Sequence, residues 1–204
     1  MTELVGCTEY DLEKCRAFVE LAHPHNWMLV AENLHDQVLT LRASRGQQVL
    51  TYTDFRIGLA ISWDETDRAS YLLMALAMEN ATKAFLVFEN PTWVSNGKLG
   101  KHLKSHSLTS LRAKCRSIPY KNKYKRTVQF LEAGIESWAR YPCGKSATDM
   151  ALQQSVSDYH WKKYCLLMKA YGRRMRKLLH KGWNGPHQSK GRLDISGDFF
   201  SVQD

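Results

Sequence analysis

The eight residues Tyr71 to Met78, YLLMALAM, limit the fold more than any other stretch of the chain. Asp64-Glu65-Thr66-Asp67 precede them, acidic and capping types that suit the positive end of a helix dipole, and the pattern predicts a helix from Arg68 to Lys83. That helix is apolar on nearly every side, so it must be buried and the remaining elements must cover it.

The elements around it read as an α+β unit over residues 1–96. Leu12, Cys15, Val19 and Ala22 recur at helical spacing in a first helix that Thr8 can cap and Pro24 stops. From Trp27 to Trp63 the period changes to two. Val38 to Ala43 alternates, Ser44-Arg45-Gly46 supplies a turn, and Gln48 to Thr53 alternates again, which predicts a β-hairpin. Residues 57–63 would add a third strand and Met28 to Ala31 a short edge strand. A small antiparallel sheet packed on helices, ending near Glu89-Asn90-Pro91, is the expected architecture.

Charge divides the chain. Residues 1–97 carry seven Lys/Arg against thirteen Asp/Glu, a net charge of −6. Residues 98–193 carry twenty-two against four, a net of +18, and the last eleven residues add −3. A segment so basic repels itself unless a polyanion neutralises it, so a nucleic acid is the expected partner. The acidic half is expected to offer a docking face for a protein partner or for self-association.

The basic half, residues 97–183, reads as mostly α-helical. Leu99, Leu103, Leu108 and Leu111 give an apolar side to one or two short helices bearing Lys98, Lys101, Lys104, Arg112, Lys114 and Arg116. Tyr120, Lys121, Lys123, Tyr124, Lys125 and Arg126 then interleave aromatic and basic types, suited to stacking on bases and neutralising phosphates. Val128, Leu131, Ile135 and Trp138 predict a helix over 127–140. Residues 147–154, a turn at Ser155-Val156 and a helix entered through the capping residue Ser157 have the layout of a helix-turn-helix. The second helix continues as a stripe of Trp161, Cys165, Met168, Tyr171, Met175 and Leu178 beside Lys169, Arg173, Arg174, Arg176, Lys177 and Lys181. Trp161 and Tyr164 are expected to pack back on the first motif helix, Trp138 and Trp161 to share one small core, and Gly172 to kink or end the second helix. Residues 184–204 read as an irregular tail whose Phe199-Phe200 can dock on the body or on a partner.

Met150-Ala151, Ser155-Val156-Ser157 and Trp161 stand where helix-turn-helix regulators of bacteria and phages carry a hydrophobe-Ala pair, a Gly-Val-Ser turn and a later apolar residue. Over residues 146–179 the chain resembles these regulators, including phage antitermination proteins of the Q type and sigma-like regulators. The resemblance implies a transcription regulator that binds duplex DNA. It gives Ser157, Asp158, Tyr159, Lys162 and Lys163 the base-reading positions and the basic segments 98–126 and 169–181, with Lys169, Arg173, Arg174 and Lys177, the phosphate contacts. An RNA-binding role, resting on Tyr120 and Tyr124, is the alternative.

Enzymatic readings carry less of the pattern. His23-Pro24-His25 resembles the histidine pair of HUH nucleases and replication initiators, with Tyr120 and Tyr159 in Tyr-x-x-Lys settings, but Pro24 interrupts the strand such a pair needs. Asp54, Asp64, Glu65 and Asp67 gather at element ends, where capping accounts for them. No catalytic residue, metal site or cofactor is expected. Five scattered cysteines form no CxxC pair, the N-terminus lacks a signal-peptide pattern, and no apolar run is read as a membrane crossing, so an intracellular setting is expected.

Overall fold

The computed structural model describes residues 9–47, 49–64, 66–141, 146 and 158–200. Within them the chain is α+β: helices α1 (Glu9–Leu21), α2 (Pro24–Ala43), α3 (Asp67–Glu89), α4 (Leu108–Lys114), α5 (Lys125–Glu136) and α6 (Asp158–Lys181), with a two-stranded antiparallel sheet of β1 (Val49–Asp54) and β2 (Leu59–Asp64). A two-residue ribbon, β3 (Trp183–Asn184) with β4 (Lys190–Gly191), follows α6.

α3 is the central element. Met74, Ala75, Ala77, Ala81, Ala84 and Phe85 are fully buried in it, and the alanines let neighbouring helices approach closely. At 23 residues it meets the length and apolarity of a membrane crossing, but 72% of its apolar window is buried inside the protein. α2 covers one side, inserting Met28, Ala31, His35 and Val38 at helical spacing. α5 brings Val128, Phe130, Leu131 and Ile135, and α6 brings Tyr164, Leu167, Met168, Tyr171 and Met175. Apart from His35, these residues form a single buried cluster that draws on both sides of residue 97. The acidic and basic halves thus share one core. A second, smaller cluster joins Val19 of α1 and Ala22 just after it to Leu86, Val94, Leu103, Leu111 and Trp183.

Two expected strands are helical. Met28–Ala31 and Val38–Ala43 both lie in α2, which Pro24 opens at its first turn, while α1 ends at Leu21. The hairpin exists one step further along: its first strand is β1, its second is β2, and Gly58 sits at φ +65° in the turn. Asp64 anchors its base, accepting from the amide (2.9 Å) and hydroxyl (2.6 Å) of Thr66 and from the Gly46 amide. These bonds hold its carboxyl below the usual range. Asp54 is held by Arg56 across the turn, and Asp67 lies 3.2 Å from Arg45, so three of the four gathered carboxylates serve structure. The side chain of the fourth, Glu65, lies outside the described residues.

The tail is a strap. It runs back along α6 through Leu193 N–H to the Leu179 carbonyl (3.1 Å), His180 to Asp194 (2.6 Å) and Arg176 to the Gly197 carbonyl (2.7 Å). Phe199 and Phe200 are buried at its end, and the Phe200 amide donates to Glu32 of α2. Gly172 does not end α6, which runs on to Lys181. A Cβ there would lie 2.6 Å from the Phe199 carbonyl oxygen, so the glycine is what lets the strap lie flat.

Candidate nucleic-acid interface

The first motif helix (147–154) and the turn 155–157, with Ser157, lie outside the described residues. The helix that follows them is α6, and its first turns pack on α2. Tyr164 shares a 2.9 Å hydrogen bond with His35 Nδ1, Trp161 stacks on the same ring, and the Arg42 guanidinium lies 4.9 Å from the Trp161 centroid. Trp161 and Tyr164 therefore meet α2. Trp138 sits elsewhere in the core, against Tyr71 and Phe130.

Several expected base-reading and phosphate positions have protein partners. The Asp158 carboxylate accepts from Arg42 (2.8 Å) and Arg45 (3.0 Å), which keep its acidity high and tie it to α2. Arg174 turns inward, its Nε donating to the Ser117 carbonyl. Tyr124 is only 8% exposed in the core and offers no open ring face to a base. Tyr120 is half-buried beneath the Arg112 guanidinium, 4.3 Å from its centroid.

Other positions stand open. Tyr159 and Lys162 are exposed, and the half-buried Lys163 carries its ammonium 5.5 Å from the Tyr159 ring. Along the same outer side of α6 come the half-buried Lys169 and the exposed Arg173, Lys177 and Lys181. Lys121, Lys123, Lys125 and Arg126 are exposed around the start of α5. α5 and α6 meet where His160 stacks on Phe130 with centroids 4.0 Å apart. Burial first, and Arg126 beside it second, lower the His160 pKa, so the ring is neutral at pH 7.

Two of the local carboxylates are already occupied. Glu132 caps α4, accepting from the Thr109 amide (3.2 Å) and the Ser107 and Thr109 hydroxyls. Glu89 accepts the amides of Arg116 (3.0 Å) and Ser117 (2.7 Å) and the Ser117 hydroxyl. Among the described residues, Lys162, Lys169, Arg173 and Lys177 have no ion-pair partner.

Two clusters bear on enzymatic readings. His23 Nδ1 accepts the His25 amide and caps α2, and its ring packs on Trp183 at 4.7 Å. Burial and the neighbouring His25 push its pKa down to about 4. The pair serves the helix start, and no group of three metal-ligating side chains occurs among the described residues. Within α3, Lys83 Nζ lies 2.5 Å from Glu79 Oε1, both side chains buried, and His106 Nδ1 lies 3.1 Å from Glu79 Oε2 with most of its side chain exposed. The sequence signal for this cluster is a pair of opposite charges four residues apart at the end of an apolar helix.

A cleft of about 530 Å³ beyond the end of α3 was not anticipated from sequence. Trp93, His102, Lys114 and Arg116 line it, and no local spacing in the sequence joins them. No protein-family model matches the chain, and no curated protein or solved structure matches it either.

Proposed function

We propose that this chain binds nucleic acid, gripping phosphates with the outer side of α6 (Lys162, Lys169, Arg173 and Lys177) and with Lys121, Lys123, Lys125 and Arg126. The observation that carries this reading is the imbalance at the surface of the basic half. Glu132 and Asp158 are engaged by protein donors, and although Arg176 pairs with Asp198, Lys162, Lys169, Arg173 and Lys177 of α6 have no carboxylate partner among the described residues. Unpaired cations along one helix side attract a polyanion through counterion release, whatever its sequence. Duplex DNA is the favoured ligand, and transcription regulation the favoured purpose, because Tyr159 and Lys162 stand outward at the N-terminal end of a long helix, where groove-reading residues sit.

The test is a competition assay with random duplex DNA, single-stranded DNA and RNA, using wild type and a Lys162→Gln/Lys169→Gln/Arg173→Gln variant. Duplex preference, weakened at least ten-fold in the variant, is expected. Equal binding by the variant would remove α6 from the interface, and RNA preference would replace the duplex reading.

A further inference from the structure

We propose that the cleft lined by Trp93, His102, Lys114 and Arg116 binds a single nucleotide unit, its base stacked on the Trp93–His102 pair and its phosphate held by Lys114 and Arg116. The cleft measures about 530 Å³, within the range of small-ligand sites. Its aromatic wall is built in advance. The Trp93 and His102 rings lie against each other with centroids 4.7 Å apart at a 36° tilt, and both remain partly open to solvent.

Trp93 is also fixed through its backbone. Its carbonyl accepts the Gly100 amide at 2.7 Å, and a Cβ on residue 100 would lie 3.1 Å from that oxygen and 3.2 Å from the Trp93 Cβ. Glycine at 100 thus lets the intervening loop close tightly under the indole. The lining is also cationic, since Lys114 and Arg116 are exposed and form no ion pair among the described residues. Glu89, the carboxylate lining the cleft, already accepts two backbone amides and a hydroxyl, which offset its repulsion of a phosphate. An aromatic wall with two cations in the same cleft is the combination that takes an unstacked base and its phosphate, a unit a duplex does not present. The cleft shares no lining residue with Lys162, Lys169, Arg173 or Lys177, so the proposal stands or falls without the α6 side.

A nucleotide unit can come from an unpaired strand or from a free mononucleotide, and the test separates them. Fluorescein-labelled dT12, a duplex of the same length, and AMP are titrated against the full chain and two variants, Trp93→Ala and Lys114→Glu/Arg116→Glu. The double charge variant alters only exposed side chains and guards against misfolding of the tryptophan variant. Expected is a loss of about ten-fold or more in dT12 affinity for both variants, with duplex affinity changed less than two-fold. Competition by AMP against dT12 would assign the site to free nucleotides as well as strands; failure to compete would assign it to strands alone. Unchanged dT12 binding by Lys114→Glu/Arg116→Glu, or equal loss on dT12 and duplex, overturns the proposal. Loss of duplex binding in α6 variants bears only on the α6 side.

Discussion

Replacing Glu79 with Gln would leave the Lys83 ammonium buried without its counter-charge. The two side chains are 5% and 7% exposed, so water cannot take over from the lost carboxylate. Breaking such a pair from one side costs about 3–5 kcal/mol, whereas replacing both members with apolar residues of similar volume is often near neutral. Glu79→Gln should therefore unfold at clearly lower urea than Glu79→Leu/Lys83→Met, and a single variant as stable as the double one would show that the pair is not desolvated. Gly172 gives a second expectation at this scale. In an open helix, Ala would be favoured over Gly by about 1 kcal/mol. Here the added methyl meets the Phe199 carbonyl at 2.6 Å, and backbone cannot swing aside as a long side chain can. Overpacking of this kind costs about 1–3 kcal/mol. Gly172→Ala should destabilise the protein and release the strap to limited proteolysis near Phe199. The glycine was visible in the sequence but its reason was not, because Phe199 lies twenty-seven residues away.

α2 shows how far periodicity alone can lead. Val38 to Ala43 alternates over only six residues, a window that a helix can also satisfy. The wider spacing Met28, Ala31, His35, Val38 has the helical period, and these four are the residues buried on α3. Pro24 was legible as a boundary but points both ways, since its missing amide suits a helix start as well as an end. The strongly patterned elements were readable: α3, the stripes of α5 and α6, and the strands at 49–54 and 59–64 each bury or pair the residues their pattern implies. The N-cap of α2 makes the element sensitive to acid. His23 must be neutral to accept the His25 amide, and its pKa is pushed down to about 4 while an unfolded chain would titrate near 6.5. Above pH 6.5 both states are neutral and the full stability is present. As pH falls toward 4 the unfolded state gains a proton the folded state refuses, so stability is lost across that window. His35 and His160, also lowered by burial, add to the same trend. Melting temperature should fall between pH 6.5 and 4, and His23→Ser, which keeps a capping oxygen, should flatten that fall. An identical slope in the variant would remove His23 from the cause.

For the whole molecule, the charge division along the chain does not correspond to two separate cores. α3, from the acidic half, is covered by α5 and α6 from the basic half, and the strap carries Phe200 back to α2. Basic composition was legible from residue counts alone, but which cations face outward was not. Arg174 and Arg173 are neighbours of the same chemical type, yet one bonds Ser117 and the other is exposed. Tyr120 and Tyr124 likewise turn to protein neighbours, because the helix start that presents the lysines also seats the rings. If one duplex spans the α6 side and the start of α5, the two groups of cations should release counterions together. Each phosphate contact contributes about −0.9 to the slope of log affinity against log salt. Neutralising Lys162, Lys169, Arg173 and Lys177 to Gln should reduce the slope by up to about 3.6, and neutralising Lys121, Lys123, Lys125 and Arg126 by a similar amount. Both sets together should lower it by the sum. If the combined variant loses no more slope than either set alone, the two groups do not contact one duplex and the spanning arrangement is wrong.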